Sequence, residues 1–197
     1  MGKLIVFEGT DGTGKSTQFA LLTKRLQSEN IPFRRLQFPQ YLEPSSALIR
    51  MYLNGEDVTK EIRLPAMSMY ASDVSAIPAV RDYLMELQRS LAREHSVIMD
   101  GRDIGTVVLP DADVKVFLCA DVAVRARRRC LELEKRGTPK PYDQVLKEME
   151  ERDYQDTHRE VAPLRPADDA IMIDNTDMDF EASCELLLDV IRGSVAD

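Results

Sequence analysis

Residues 4–17 read Leu-Ile-Val-Phe-Glu-Gly-Thr-Asp-Gly-Thr-Gly-Lys-Ser-Thr, an apolar run followed by a glycine-rich turn. The apolar run predicts a buried strand, and the spacing of Phe19, Leu22 and Leu26 predicts a helix after the turn. The turn, residues 9–16, fits G-x-x-x-x-G-K-[ST] at every fixed position. A strand, a glycine-rich turn and a helix in this order predict a phosphate-binding P-loop.

Each residue type in this turn suits an anionic ligand. The glycines let backbone N–H groups curl around a phosphate, and the helix beginning near Lys15 directs its positive dipole end at the same place. Lys15 supplies a charge for β- and γ-phosphates, and Ser16 is the candidate ligand of a magnesium ion. A chance glycine-rich turn is the alternative, but it would not be expected between a strand and a helix. The candidate nucleotide-binding residues are Gly9, Thr10, Asp11, Gly12, Thr13, Gly14, Lys15, Ser16 and Thr17.

The composition is that of an ordinary globular chain with an acidic balance. Its 197 residues are 44% hydrophobic and 30% charged, which suits one α/β domain. The formal net charge of −8 provides no overall basic field for nucleic acid or membrane. The three cysteines lack metal-ligand spacing, and no signal peptide or bilayer-length apolar run is found. We therefore expect a reduced, cytoplasmic protein.

Helix and strand patterns alternate along the chain and predict a five-stranded parallel sheet with helices on both faces. The predicted strands span 3–8, 33–38, 96–99, 114–119 and 170–173. The predicted helices span 15–29, 45–53, 78–94, 122–136, 142–159 and 180–192, and 56–72 is irregular and helical. On the last helix, Ala182, Leu186, Leu187 and Val190 are expected to face inward. Because ligands bind beyond the carboxyl ends of such strands, the P-loop, Phe38-Pro39 and residues 100–103 should share one site.

Arginines outside the P-loop predict the second half of this site. Arg152, Asp156 and Arg159 are spaced i, i+4 and i+7, so they share one face of a helix, as Arg81 and Gln88 do on another. A solvated, ion-paired face is the alternative for such a stripe. Phosphoryl transfer between two anions needs positive charge to offset their repulsion. Neither the base-reading motif of GTPases nor the Leu-Ser-Gly-Gly signature of transporter ATPases is present.

Two further groups leave alternatives open. Asp100, after the third strand, could hold the water shell of a magnesium ion or orient a substrate group, or it could cap a helix. Some of the arginines at 125–129 are expected to pair with the nearby Glu132 and Glu134.

These motifs resemble two families of nucleoside monophosphate kinase. Residues 1–55 resemble bacterial thymidylate kinase, in Phe-Glu-Gly-Thr-Asp-Gly-Thr-Gly-Lys-Ser-Thr-Gln at 7–18, Phe-Pro at 38–39 and Tyr-Leu-Asn-Gly at 52–55. Residues from about 53 to 197 resemble bacterial cytidylate kinase. The matching stretches there are 53–59, 61–63, 74–78 with 80–81, 88–89, Asp-Gly-Arg-Asp-Ile-Gly-Thr-Val-Val at 100–108, and parts of 152–164. The chain thus looks like a hybrid of two kinases with the same fold.

Both resemblances imply an ATP-dependent, magnesium-requiring kinase, and they differ in the acceptor. Similarity to cytidylate kinase implies that Arg81, Arg102 and Arg152 grip the acceptor phosphate or the transferring group. It also implies that Ser72, Asp100, Asp156 and Arg159 contact the cytosine nucleotide or hold its partners. The expected catalytic residues are Lys15, Arg102 and Arg152. The expected acceptor-binding residues are Phe38, Ser72, Arg81, Asp100, Arg102, Asp103, Arg152, Asp156 and Arg159.

The chain departs from each family at specific places. The Asp-Thr-Gly-Ala-Met-Tyr-Arg run and much of the acceptor-binding insert of cytidylate kinases are missing, and Asp100-Gly101-Arg102 replaces the Asp-Arg-Tyr/His of thymidylate kinases. We expect CMP or dCMP as acceptor. The alternatives are a dTMP kinase in which Phe38 stacks on thymine, and a nucleotide-binding protein without useful turnover.

The resemblance also implies how one P-loop kinase domain is divided. We expect a core of 1–40, 95–120 and 165–197, an acceptor-binding part at 41–94 and a mobile lid within 121–160. We expect a monomer or homodimer that binds neither a nucleic acid polymer nor a membrane.

Overall fold

The computed structural model describes residues 3–37, 78–160 and 162–195. Several predictions fall on the other residues and lie outside the described ranges. They are Phe38, Ser72, the helix at 45–53 and the segment 56–72.

Five parallel strands form one sheet, in the order β2-β3-β1-β4-β5. The strands are β1 (Leu4–Gly9), β2 (Arg34–Gln37), β3 (Val97–Asp100), β4 (Val114–Cys119) and β5 (Ile171–Asp174). The central strand β1 pairs with β3, where Leu4 lies opposite Val97, and with β4, where Gly9 lies opposite Leu118. Since every pairing is parallel, the carboxyl ends of all five strands meet at one edge, as the sequence predicts.

Five α-helices accompany this sheet in the described ranges. They are α1 (Lys15–Ser28), α2 (Pro78–Glu94), α3 (Val122–Lys135), α4 (Tyr142–His158) and α5 (Phe180–Val195). The predicted bounds of these helices and of the strands agree to within one residue, except that α5 continues to Val195. A π-helical turn at Ile104–Val108 was not predicted.

Hydrophobic clusters cover both faces of the sheet. Successive side chains of a strand point to opposite faces, so Ile5 and Phe7 join one cluster and Val6 joins the other. The first cluster packs α1 and α5 against the sheet, and the second packs the π-helical turn and the end of α2. A third, smaller cluster joins α3 to α4 through Ala126, Val145 and Met149.

The inward face of α5 differs from the prediction. The buried apolar side chains are Cys184, Leu187, Leu188 and Ile191, whereas Ala182 and Leu186 are exposed. Leu187 was therefore correctly placed and Val190 is half-buried, but the predicted face is rotated by about one residue. The reason is Cys184, which packs in the core as a small hydrophobe and continues an i, i+3, i+4, i+7 stripe.

The described part of the chain contains no disulfide and no helix that could span a membrane. Cys119, Cys130 and Cys184 are free thiols. No helix in these ranges combines the length and the apolar character needed to cross a bilayer.

Candidate active site

The P-loop connects β1 to α1 at the carboxyl edge of the sheet. Gly9, Gly12 and Gly14 have φ angles of 143°, 76° and 87°, in the region that favours glycine. A Cβ on Gly9 would lie 2.0 Å from the Leu118 carbonyl oxygen, and one on Gly14 would lie 2.9 Å from Cε1 of Phe180. Gly14 is the N-cap of α1 and no side chain caps it, so the first amides of the helix are available to an anion.

A buried asparagine anchors the back of this loop. Asn175, which follows β5, donates from Nδ2 to the Thr13 carbonyl oxygen at 2.8 Å and from its backbone N–H to Cys119 O at 3.0 Å. Arg128 Nη1 donates to Asn175 Oδ1 at 3.0 Å. The only hint of this role in the sequence is that Asn175 follows a predicted strand, at the edge where ligands bind.

Lys15 extends across the loop toward β1. Its Nζ donates to the carbonyl oxygens of Gly9 at 2.8 Å and Thr10 at 2.7 Å. Burial, reinforced by the nearby Arg102 guanidinium, lowers the Lys15 pKa to about 8, although the Asp11 and Asp100 carboxylates oppose the shift. A phosphate in the loop would favour the charged form of Lys15.

An alternating row of charges connects the P-loop to α4. Arg152 Nη1 lies 3.1 Å from Asp11 Oδ2, and Arg152 Nε lies 3.9 Å from Asp156 Oδ2. The same Asp156 oxygen accepts a hydrogen bond from Arg102 Nε at 2.8 Å. Burial alone would raise the pKa of Asp11, but Arg152, Lys15 and Arg102 together hold it below its ordinary value. Predicted site residues from three parts of the chain therefore meet around an ionised aspartate.

Asp100 ends β3 beside this row. Burial raises its pKa, although Lys15 and Arg35 act in the opposite direction. Its Oδ1 is buried and has no hydrogen-bond partner among the described residues. An unpartnered carboxylate oxygen at the loop edge suits a hydrated cation, and the Ser16 side chain is exposed in the first turn of α1.

No three histidine, cysteine or acidic side chains cluster as a metal site within 3–37, 78–160 and 162–195.

Arg81 and Asp103, both predicted acceptor-binding residues, form an ion pair with each other. Arg81 Nη2 donates to Asp103 Oδ2, and both side chains are largely buried. Asp103 immediately precedes the π-helical turn, so this ion pair joins α2 to the segment that follows β3.

Arg125, the most deeply buried arginine in the described part of the chain, was not among the predicted site residues. Arg125 on α3 is 4% exposed, and its Nη2 lies 2.5 Å from Asp153 Oδ2 on α4. Its Nη1 also donates to the Asp11 carbonyl oxygen at 2.9 Å, so it joins α3, α4 and the P-loop. Arg129, by contrast, pairs with Glu132 at 2.7 Å as expected. Arg125 and Asp153 are 28 positions apart, so no local spacing indicates their pairing.

The structure does not bring Arg159 into the charge row. Arg159 follows α4, and its Nε donates to the Ala162 carbonyl oxygen at 2.6 Å. The i, i+4, i+7 stripe thus continues only through Arg152 and Asp156, because the helix ends at His158.

Comparison with known proteins identifies the family. The cytidylate kinase family model matches residues 19–193. A cytidylate kinase of Caldicellulosiruptor saccharolyticus is 42% identical over 94% of each chain, and one of Geobacter sulfurreducens is 41% identical over 97% of this chain and 93% of its own length. The chain belongs to the cytidylate kinase family.

Solved structures agree with the fold of this cytidylate kinase family member. An uncharacterized protein from Eubacterium ventriosum gives a TM-score of 0.61 at 13% identity, covering 98% of this chain and 99% of its own. Shikimate kinase from Bacteroides thetaiotaomicron gives 0.54 at 14% identity, covering 95% and 97%. At these identities the likeness concerns the fold alone.

The same alignments bear on the first part of the chain. The two cytidylate kinases align over 94% and 97% of the chain, and these comparisons give no support to a thymidylate kinase origin for residues 1–55.

Proposed function

We propose that this protein transfers the γ-phosphate of ATP to CMP or dCMP, giving ADP and the cytidine diphosphate. The observation that carries the proposal is the convergence of the Lys15 loop with Arg102 and Arg152 at one edge of the sheet. Membership of the cytidylate kinase family supports the cytosine acceptor.

The reaction needs no nucleophile from the protein. An oxygen of the acceptor phosphate attacks the γ-phosphorus of ATP, the bond from that phosphorus to the β,γ-bridging oxygen breaks, and ADP leaves with the bond electrons. Lys15 and the first amides of α1 hold the donor phosphates, while Arg81 and Arg102 neutralise the acceptor. Arg152 stabilises the charge that spreads over the transferring group.

Ser16 would hold Mg²⁺ together with the nucleotide phosphates, and Asp100 would accept hydrogen bonds from its waters. When bound, the ion screens the charge of the donor phosphates. The buried, unpartnered Asp100 Oδ1 supports this assignment.

Residues 121–160 would act as a lid over the core. Of the acceptor-binding part expected at 41–94, only residues 78–94 lie in the described ranges. The lid helices already approach the loop, since a Cβ on Gly12 would lie 2.7 Å from Met149 Cε and 3.2 Å from Arg125 Cβ. Closure would bring Arg152 onto the transferring phosphate and exclude water, which would otherwise hydrolyse ATP.

The acceptor is tested by measuring ADP release from ATP and Mg²⁺ with CMP, dCMP, UMP, dTMP or AMP in parallel reactions. We expect CMP and dCMP to give the highest kcat/KM, and chromatography to show the corresponding diphosphate. A preference for dTMP would overturn the acceptor assignment. ATP binding without any acceptor-stimulated turnover would support a non-catalytic role instead.

Arg102→Ala tests the catalytic assignment of that arginine. We expect kcat to fall by about 100- to 1,000-fold, because Arg102 stabilises charge in the transition state. ATP affinity, measured by calorimetry, should change little. Arg127→Ala is the matched control. Arg127 is exposed on α3, so this substitution removes the same charge outside the site. Equal effects of the two substitutions would remove Arg102 from the catalytic residues.

A further inference from the structure

Glu8 is a buried carboxylate with no part in the mechanism above. It lies on β1 immediately before the P-loop and is 1% exposed. Burying a carboxyl group is unfavourable unless it is hydrogen-bonded, so its partners indicate what it holds in place.

The partners of Glu8 are the amides of the π-helical turn. Glu8 Oε1 accepts from the Gly105 N–H at 3.2 Å, and the Ile104 backbone also hydrogen-bonds to the carboxyl group. A Cβ on Gly105 would lie 3.0 Å from Glu8 Oε2 and 3.3 Å from Lys115 Cδ. The turn thus approaches the carboxyl group closely at a residue that has no side chain.

Lys115 does not take this carboxyl group as its hydrogen-bond partner. Its Nζ lies 2.8 Å and 2.7 Å from the two carboxylate oxygens of Asp169 and also donates to the Pro110 carbonyl oxygen. The hydrogen bonds that the Glu8 carboxyl group accepts therefore come from the backbone of the turn.

The turn also bonds to the helix that carries the acceptor arginine. Asp103, the partner of Arg81, accepts at its backbone oxygen from the N–H groups of Val107 at 2.9 Å and Val108 at 3.2 Å. Arg89, on the same helix as Arg81, donates to the carbonyl oxygens of Val107 at 2.8 Å and Val108 at 2.9 Å. One compact turn therefore connects Glu8 on the donor strand to Arg81 on α2.

We propose that Glu8 is a positioning residue that holds the π-helical turn against the P-loop strand and so sets the place of Arg81 relative to the donor phosphates. This inference rests on the proposed kinase function. Loss of Glu8 should weaken acceptor binding, because the turn bonds to Arg89 and, through the preceding Asp103, is joined to Arg81. Lys15 has its own hydrogen bonds to the P-loop.

The first test compares Glu8→Leu with Glu8→Gln. Leucine loses both hydrogen bonds, and we expect KM for CMP to rise by about tenfold or more with little change in KM for ATP. Glutamine keeps an acceptor oxygen and should restore most of the acceptor affinity. Leu187→Ala, a buried change on α5 remote from the turn, controls for a general loss of stability.

A second test approaches the same contact from the turn. Gly105→Ala places a methyl group against Glu8 and should also raise KM for CMP selectively. If the two residues act through one contact, Glu8→Leu with Gly105→Ala should cost less than the sum of the single effects.

The outcomes separate this inference from the proposed function. A wild-type enzyme that does not phosphorylate CMP would contradict the proposed function. A wild-type enzyme that does so, with Glu8→Leu and Gly105→Ala changing both KM values equally or neither, would overturn the positioning role. If Glu8→Leu folds poorly, the other two variants decide: Gly105→Ala must raise KM for CMP more than KM for ATP, and Glu8→Gln must keep KM for CMP near the wild-type value.

Discussion

Lys15 carries a positive charge, largely shielded from solvent, whose hydrogen bonds go to backbone carbonyl oxygens. Its Nζ bonds to two backbone carbonyl oxygens, and burial together with Arg102 places its pKa at about 8. The charged form is therefore less stable in the folded protein than in water, and an anion in the loop would reverse this. Nucleotide binding should then be coupled to proton uptake above this pKa.

We expect ATP affinity to fall as pH rises above about 8, by at most about tenfold per pH unit, because Lys15 must then regain a proton on binding. The dissociation constant of ATP, measured at several pH values between about 7.5 and about 9.5, would test this. Lys15→Arg should show a flat profile, since a guanidinium stays charged throughout. An equal slope in both proteins would assign the effect to another group.

Lys15 also makes the folding stability depend on pH, and its contribution becomes less unfavourable as pH rises. Its folded pKa lies below the unfolded value, so the penalty of charging it is fully present below about pH 8. That penalty is relieved as pH rises from there toward the unfolded pKa.

Residues were predictable where their chemistry is local. The P-loop was found because Gly9, Gly14 and Lys15 act through fixed short spacings. Arg125 and Asn175 were not identified, because their contacts with the loop join residues 114 and 162 positions apart. The position of Asn175 just after a predicted strand is the one local hint, and the sequence around Arg125 offers none.

One buried ion pair joins the two helices α3 and α4. Arg125 is almost wholly buried. Its Nη2 donates to Asp153 Oδ2 at 2.5 Å, and its Nη1 donates to Asp153 Oδ1 at 3.2 Å. An apolar cluster centred on Ala126, Val145 and Met149, with half-buried side chains of both helices packed around it, supports the same contact. Removing one partner of such a buried pair lowers the free energy of unfolding, because the other charge stays buried without compensation.

Asp153→Ala should therefore lower the free energy of unfolding by about 3 kcal/mol, because it leaves the Arg125 charge buried without its partner. Glu148→Ala on the same helix breaks the exposed pair with Lys140 and should cost less than about 1 kcal/mol. Urea denaturation of the three proteins would measure both values. A similar cost for both variants would mean that the buried pair contributes no more than a surface pair.

Elements were predicted well where an apolar pattern marks them, and poorly where tertiary contacts shape them. The bounds of α2 and β4 matched because α2 begins at Pro78 and because Asp121, two residues after Cys119, ends the apolar run of β4. The π-helical turn has no such pattern, since Glu8 from β1 and Arg89 from α2 hold it in place. The face of α5 was misassigned because a cysteine completes its apolar stripe.

At the scale of the whole molecule, the sheet and its two flanking layers form the fixed part, while α3 and α4 attach to it mainly through charged contacts. Arg125 bonds to Ala120 O and Asp11 O, and Arg152 reaches Asp11. Polar contacts of this kind can exchange partners when an anion enters, whereas the apolar layers cannot. This division supports the proposed lid at 121–160.

Hydrogen exchange should show that division directly. With a non-hydrolysable ATP analogue and CMP at about 100 times their dissociation constants, exchange in 121–160 should slow by up to about 10,000-fold, about 100-fold from each ligand. Amides of α5 serve as the internal reference, because that helix packs on the core. Slower exchange at the P-loop with no change in α3 and α4 would contradict the lid proposal.

The central place of β1 has a consequence during synthesis of the chain. Leu4 pairs with Val97, and Gly9 with Leu118, so both neighbours of this strand are made about a hundred residues after it. At about 5–20 residues per second, the ribosome leaves β1 without either partner for roughly 5 to 20 s. During this interval an apolar strand has no neighbour to pair with, so β1 is the strand whose edges stay open longest as the chain grows.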